Sequence, residues 1–355
     1  MKMRKDERGR PIRAVAMMSS GLDSTLAAAH IARMGIEVHG VRFATGFSPV
    51  AGRLETVGKI TPADTGDPEP KTLRIAADIE IPFRVVDISA DFIREVLTSP
   101  RYGLGQEMNP CIDCHIYMLH RTLPVMEEID AHFVLTGEVL GQRPMSQHKQ
   151  ALETVEEQSG LKGLLLRPLS AKHLDPTIPE ERGWVDRNEL LDIRGRGRKR
   201  QMELAERYGI TDYPQPAGGC LLTDPGFSKR LRDLIDNAAE EELIPEEMNL
   251  LKVGRHFRFP SGTKVVVGRN EAENKFMEGL DLDRWSLEVL DYGSPITLVD
   301  ADAGDEDLDT AAALTARYSQ GREEKSVLVR AFRKVSERQI TIEPLAPDTA
   351  DDWMI

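Results

Sequence analysis

The sequence predicts a doubly wound, mostly parallel α/β sheet followed by a smaller α+β domain, on three observations. An apolar run, Ala14–Met18, ends in a turn of hydroxyl and glycine residues, Ser19-Ser20-Gly21-Leu22-Asp23-Ser24-Thr25. From that turn Leu26, Ala27, Ala28, Ala29, Ile31 and Ala32 recur at helical spacing as far as Gly35. Strand-like and helical stretches then alternate up to Tyr208, which implies right-handed β–α–β crossovers and a parallel sheet covered on both faces. Around Leu243–Lys252 the character changes to short strand-like pieces, which places a boundary there. The expected organisation is a basic tail (1–13), a first domain (14–242) and a second (249–345).

Composition bounds the possibilities. A chain of 355 residues can bury two cores. A formal net charge of −13 excludes a general polyanion binder, so any RNA contact must come from local basic patches. No apolar run approaches the ~20 residues of a membrane span. Met1–Arg13 has no apolar core and is no secretory signal; it reads as a frayed tail or an RNA-touching arm. Three cysteines, an odd and low number, argue against a disulfide framework and for a reducing cytoplasm.

In chain order, Glu37–Ala44 alternates as a strand. Thr45–Pro70, rich in Gly, Pro and Thr, is a long loop, and Lys71–Asp78 suits a helix. Phe83–Ile88 is the next strand, and His115–Ile129 is helical with a bend at Pro124. His132–Glu138 and Leu164–Leu169 complete the sheet. Asp186–Tyr208 reads as a long helix that Gly195 and Gly197 could break into a basic loop. It carries Arg194, Arg196, Arg198, Lys199 and Arg200, the densest cationic patch of an acidic chain, which reads as a solvated face or as a phosphate contact. The second domain offers strands at Arg255–Phe259, Thr263–Val267, Ile296–Val299, Lys325–Arg333 and Gln339–Ile342. It adds one helix, Glu271–Gly279, and an acidic solvent loop, Asp300–Asp309.

A strand, a Gly-containing turn and a helix N-terminus make an anion site, because the first N–H groups of a helix lack intrahelical partners and face outward with the positive dipole end. An ordinary capped junction has the same outline. It is not a Walker P-loop, since no Gly-Lys-Ser/Thr follows. The cysteines lie in two turn-rich places, Asn109-Pro110-Cys111-Ile112-Asp113-Cys114-His115 and Pro216-Ala217-Gly218-Gly219-Cys220. Three chemistries fit them besides plain burial. Zinc would take His115 as fourth ligand. A persulfide relay would use one thiol as carrier and another to resolve it. An iron–sulfur cluster on three cysteines would leave one iron open to hold and deliver sulfide.

The turn resembles the Ser-Gly-Gly-x-Asp-Ser signature of the PP-loop ATP pyrophosphatases, with Ser19, Gly21, Asp23 and Ser24 on the pattern and Ser20 in place of its second glycine. Asn109-Pro110-Cys111…Cys114 and Thr136-Gly137-Glu138…Leu140-Gly141-Gln142…Ser146-Gln147 resemble segments of the tRNA thiolases, the 4-thiouridine and 2-thiouridine synthetases. The resemblance implies an ATP-dependent tRNA sulfurtransferase that adenylates a uridine carbonyl and replaces its oxygen with sulfur. It implies MgATP held by Met17, Ser19, Ser20, Gly21, Asp23, Ser24, Thr25, Phe43, Thr136 and Gly137, with Asp23 on Mg2+ or orienting the loop. It further implies a [4Fe–4S] cluster on Cys111, Cys114 and Cys220, with zinc or a persulfide relay as the runner-up. Sulfide or a desulfurase or carrier protein would supply sulfur. A homodimer, one subunit feeding RNA to the other's site, is compatible with the layout.

Val266-Val267-Gly268-Arg269-Asn270…Asn274 resembles the Gly-Arg-Asn…Asn motif of NFACT-R RNA-associated modules. There Gly268 would permit a turn, Asn270 would cap the next helix and Arg269 would stand free to meet RNA. Two other functions share the PP-loop outline. One is sulfur insertion or amide formation on a small molecule, and the other is a non-catalytic, nucleotide-dependent RNA-binding adaptor.

Overall fold

A computed structural model describes residues 3–19, 21–47, 79–211, 213 and 220–355, without the side chain of Glu240. Ser20, most of the expected long loop, the expected helix Lys71–Asp78 and the turn preceding Cys220 lie outside the described residues. The chain divides into two compact units, Met1–Thr45 with Gly66–Gly219, and Gly46–Thr65 with Cys220–Ile355.

The first unit holds five parallel strands in the order β3-β2-β1-β4-β5: β1 (Arg13–Met17), β2 (Glu37–Ala44), β3 (Phe83–Asp87), β4 (Phe133–Thr136) and β5 (Leu165–Leu166). Alternation along β1 explains why both faces are covered. Ala14 and Ala16 enter the core that contains Leu26, Ala27 and Ile31 of α1 (Leu22–Ala32), whereas Val15 enters the opposite core with Val41, Val134 and Leu119. The chain runs outward from β1 to β3 and then restarts at β4 on β1's other side. The reversal between β1 and β4 opens a crevice at their carboxyl ends, where such sheets bind ligands.

Four expectations change here. Residues 3–13 form a hairpin rather than a frayed tail: Lys5 bridges Pro11, and Arg4, Arg10 and Arg13 pair with Glu189, Asp6 and Glu37. The expected bent helix is two helices, α2 (Cys111–His120) and α3 (Leu123–Ile129). Pro124 sits in the first turn of α3, where its missing N–H costs nothing. After α4 (Lys149–Gln158), β5 ends two residues in, just before the chain reaches Pro168, which cannot donate to a ladder. Asp186–Tyr208 is not one helix. Gly195 adopts φ +81°, a conformation that breaks a right-handed helix, and only α5 (Lys199–Tyr208) is helical beyond the single turn Arg187–Glu189.

The second unit carries α6 (Pro225–Asn237), capped by Asp224, whose side chain accepts from Phe227 N at 2.7 Å. Its sheet is antiparallel, in the order β11-β10-β8-β9-β7-β6. The strands are β6 (Arg255–Arg258), β7 (Lys264–Val267), β8 (Arg284–Val289), β9 (Thr297–Asp300), β10 (Val327–Arg333) and β11 (Ser336–Ile342). Between them lie α7 (Glu271–Glu278) and α8 (Asp305–Arg317). The expected acidic loop is in large part the first turn of α8: Asp305, Glu306 and Asp307 face the positive end of the dipole, and Leu308, Ala311, Ala312 and Leu314 join the core. Asp233 of α6 ties that helix to the sheet through Arg258 at 2.7 Å and buried Lys264 at 2.8 Å.

His256 on β6 is 1% exposed; its Nε2–H donates to Val253 O at 2.8 Å, and Nδ1 has no partner among the described residues. Burial, with help from Lys264, holds its pKa well below the usual histidine value. A histidine kept neutral by folding stabilises the fold above its unfolded pKa of about 6.5, and that contribution is lost as pH falls below it. The melting temperature of the wild type should therefore drop between pH 7.5 and pH 5 more than that of a His256→Asn variant. Equal slopes in a calorimetric pH series would refute the assignment.

Candidate functional site

The N-terminus of α1 has the outline of an anion site. Gly21 occupies the N-cap position with φ −79° and ψ 150°, and no side chain caps the helix. The hydroxyls around it turn inward. Ser24 Oγ lies 3.1 Å from Ser19 Oγ, accepts from Ser19 N at 3.1 Å and donates to a carbonyl, while Thr25 Oγ1 donates to Gly21 O at 3.1 Å. The leading N–H groups of the helix are thus left for a ligand. Gly21 needs no left-handed backbone; a Cβ there would meet Ser19 Oγ at 3.1 Å.

The segment after β4 closes this turn from the other side of the crevice. A Cβ on Gly137 would stand 2.3 Å from Ser24 N and 2.5 Å from the Asp23 carbonyl carbon, so strand end and helix start touch backbone to backbone. Five residues on, Gln142 Nε2 donates to Asp23 Oδ2 at 2.8 Å. Asp23 Oδ1 is buried and has no hydrogen-bond partner among the described residues. An unpaired buried carboxylate oxygen beside an anion cradle fits a hard cation such as Mg2+.

The same segment reaches the cysteines. Glu138 is 4% exposed and accepts from Arg167 Nε at 3.0 Å, from Thr136 Oγ1 at 3.0 Å and from His115 Nδ1 at 2.9 Å. Arg167 in turn holds Glu156 at 2.9 Å and Leu152 O at 3.0 Å. Burial pushes the Glu138 carboxyl up, but the Arg167 guanidinium and the His115 hydrogen bond hold it well below the usual carboxylate range. His115 lies one helical turn after Cys111, and Cys111 and Cys114 at i and i+3 share a face of α2. Residues 136–142 therefore touch the turn before α1 at two points and the cysteine helix at a third.

Cys111, Cys114 and Cys220 are all half-buried thiols without disulfides. Burial pushes the Cys111 thiol up, opposed by Arg143, Asn109 and Ser146. Cys220 belongs to the second unit, where its Sγ lies 3.7 Å from Phe47 O. Among the described residues no group of three or more His, Cys, Asp or Glu is clustered as a metal site. His115, the expected fourth zinc ligand, has its Nδ1 on Glu138.

The basic stretch is brought to the same crevice. Arg194 bridges Leu140 in parallel, and Gly195 N donates to Leu140 O at 2.7 Å, two residues from Gln142. Arg194, Arg196, Lys199 and Arg200 are exposed and Arg198 is half-buried, with Arg200 paired to Asp192 at 2.6 Å. Met17 is half-buried at the end of β1, in register with Thr136, whereas Phe43 is 7% exposed within the core beside Val15 and Ile88. Ser20 lies outside the described residues.

Arg269 does not stand free. Its guanidinium is joined to buried Glu273, which also accepts from Gly254 N at 3.0 Å. Asn270 caps α7 as expected, accepting from Glu273 N at 3.0 Å. Gly268 serves close approach rather than a turn, since a Cβ there would stand 2.1 Å from Asn274 Oδ1. Asn274 Oδ1 accepts from Ile296 N at 3.2 Å, so the motif locks its own corner of the sheet.

Comparison with known proteins matches these two halves. A family described as the tRNA methyl transferase HUP domain matches residues 12–178, and the NFACT protein RNA binding domain matches residues 254–354. The tRNA-specific 2-thiouridylase MnmA of Streptomyces griseus subsp. griseus is 27% identical over 324 residues, 86% of this chain and 76% of that protein. The chain is thus similar to the PP-loop tRNA thiolases. The 2-thiouridylase of Streptomyces coelicolor is 38% identical to this thiolase-like chain over 112 residues, but the match spans 31% of the chain and 28% of the relative. Among solved structures, a 4-thiouridine synthetase–RNA complex with bound ATP is 18% identical, covering 68% of this chain and 54% of that one, with a TM-score of 0.35. The U34-tRNA thiolase NcsA of Methanococcus maripaludis, with its [4Fe–4S] cluster, is 14% identical and covers 68% and 70% with a TM-score of 0.34. Among the described residues, no helix of the chain is long and apolar enough to cross a membrane.

Glu138, Gln142 and Arg167 are the site residues that sequence reasoning undervalued. Glu138 and Gln142 stood in the quoted thiolase segment without a role. Arg167 carried no signal beyond being a cation inside an apolar run, Leu164–Leu169.

Proposed function

We propose that the protein is an ATP-dependent tRNA sulfurtransferase, which adenylates a uridine carbonyl oxygen and exchanges that oxygen for sulfur. The observation that carries this reading is the 136–142 segment, which joins the anion cradle of α1 to the helix bearing Cys111 and Cys114. A phosphate site and a thiol pair on one scaffold suit a reaction that first activates an oxygen and then displaces it.

The leading N–H groups of α1 orient the triphosphate, and Asp23, steadied by Gln142, would hold Mg2+ through its second oxygen. Mg2+ bound there supplies charge neutralisation of the departing pyrophosphate. The uridine oxygen attacks the α-phosphorus and pyrophosphate leaves. Sulfur then attacks the adenylated carbon, and AMP departs with the original oxygen. The uridine must leave its stack to meet the nucleotide. Exposed cations of the basic loop beside Leu140 suit the neighbouring phosphates. The C-terminal NFACT-type unit supports an RNA substrate as well.

A [4Fe–4S] cluster would be held by Cys111, Cys114 and Cys220, and with three thiolates it would supply an iron open to sulfide. Two soft thiols on one helix face suit that donor set; a zinc site would instead add His115 through Nε2, its Nδ1 being held by Glu138. Sulfide or a carrier protein would be the donor, in the cytoplasm.

Mass analysis of nucleosides from tRNA incubated with the anaerobically purified protein, MgATP and sulfide tests the reading. The expected product is a thiolated uridine. A product with an added methyl group, or transfer of sulfur only to a small molecule, would overturn it. Cys111→Ala, Cys114→Ala and Cys220→Ser should each lower thiolation by at least ~10^3-fold, the scale on which loss of a directly reacting group acts. ATP affinity should stay within about twofold. A Cys220→Ser protein that still thiolates removes the three-cysteine centre, and one without iron and sulfide in the wild type favours the persulfide relay.

A further inference from the structure

Three of the most exposed large apolar side chains of the first unit gather where α2 begins. Tyr102 is 38% exposed, Leu104 44% and Met145 54%. They are neighbours through the loop that carries them. Arg101 N and Tyr102 N both donate to Asp113 in the first turn of α2, at 3.0 Å each, so the loop is tied to the cysteine helix. Gly105 N donates to Asn109 O at 2.8 Å, and a Cβ on Gly105 would lie 3.8 Å from Met145 Cε. Met145 itself sits in the turn held by Gly141 N to Gln147 O at 2.7 Å, two residues after Arg143.

The rim of this patch is cationic although the chain as a whole is strongly acidic. The Arg101 guanidinium carbon lies 5.5 Å from the Tyr102 ring centre, and Arg143, whose N donates to Gln147 Oε1 at 3.1 Å, stands in the turn that carries Met145. Arg194 and Gly195 lie against Leu140 on the same turn. Apolar area with one aromatic ring, fringed by arginines and set beside the reacting thiols, matches an unstacked nucleotide. The base finds a face to stack on, and the flanking phosphates find charge. A protein partner would want a broader apolar centre with charge depleted from it.

We propose that Tyr102, Leu104 and Met145 form the platform on which the extruded substrate nucleotide, or its immediate neighbour, stacks beside Cys111, with Arg101 and Arg143 on the adjoining phosphates. The proposal deepens the tRNA reading and rests on it. Tyr102 here is a positioning residue for RNA, with no part in ATP binding or in sulfur transfer.

The test uses full-length protein and a tRNA transcript in which 5-bromouridine replaces uridine. Irradiation should crosslink the RNA to the peptides containing Tyr102 or Met145. Tyr102→Ala should raise KM for tRNA by on the order of tenfold, the loss expected for one base–aromatic stack, with ATP affinity unchanged. Tyr102→Phe, which keeps the ring, should restore it, and Met145→Ala, which leaves every quoted hydrogen bond in place, should act in the same direction. Crosslinks confined to other regions, or a Tyr102→Ala protein with wild-type KM, would overturn the platform while leaving thiolation intact. A defect seen with a protein sulfur donor but absent with free sulfide, at unchanged tRNA affinity, would instead make the patch a docking surface for that donor. Absence of any thiolated product from the wild type would sink the sulfurtransferase reading alone, because the crosslink map is read independently of turnover.

Discussion

Gly137→Ala should abolish ATP binding and lower the melting temperature of the first unit. The added methyl would stand 2.3 Å from Ser24 N and 2.5 Å from both the Asp23 carbonyl carbon and Ser24 Cα. These are backbone atoms of the first turn of α1, so no side chain can swing aside. The end of β4 and the start of α1 must part, and the cradle opens along with the Asp23–Gln142 contact. Overpacking costs about 1–3 kcal/mol, and more where the backbone itself must move. For a domain of this size that is a fall of roughly 2–4 °C per kcal/mol. Gly197→Ala is the control, since Gly197 has nothing within 4 Å of a notional Cβ and no positive φ. Calorimetry and an ATP titration decide the matter. A Gly137→Ala protein with wild-type affinity would mean that β4 and α1 do not meet as described.

Arg167→Met should be the most destabilising single change in the site. Arg167 is 3% exposed and joins Glu138 to Glu156. Its loss leaves Glu138 buried, with His115 and Thr136 as remaining partners, and breaking a buried pair from one side costs about 3–5 kcal/mol. The cost is pH-dependent in a definite direction. In the wild type Glu138 titrates below its unfolded value, so its contribution is complete above the ordinary carboxylate range and is lost only as pH falls through the depressed value. Without the guanidinium, burial raises the carboxyl instead, and the folded variant takes up a proton that the unfolded chain does not. The stability gap between the two proteins should therefore narrow on going from pH 7.5 to pH 5, as measured by urea denaturation. Glu138→Gln combined with Arg167→Met should recover part of the loss, because both charges are then gone. A gap that widens in acid would show that Glu138 is not ionised in the fold.

These two predictions rest on contacts that differ in how far the sequence reveals them. Strict local patterns were legible. The alternation of Glu37–Ala44 returned as β2 with the same ends, and the Ala14–Gly35 strand, turn and helix returned as β1 and α1. β8, Arg284–Val289, went unread because Arg284, Trp285, Ser286 and Glu288 are only partly buried and blur the alternation. The Asp305–Arg317 helix went unread as a whole, because its acidic first turn, which serves the dipole, has the composition of a solvent loop and its apolar face begins only at Leu308.

The sequence by itself determined the strand, turn and helix of Ala14–Gly35, the alternation of β2 and the place of Cys111 and Cys114 near a helix start, because each is written in spacings of a few residues along one strand, turn or helix. The tertiary structure alone decided that Gly137 lies against Ser24, that Gln142 steadies Asp23 and that Arg167 anchors Glu138 to the cysteine helix. It also decided that Arg269 is committed to Glu273. These pairings depend on which strand ends become neighbours at the β1–β4 reversal and on which polar groups are left buried together. Neither quantity is local, so no window of sequence contains it.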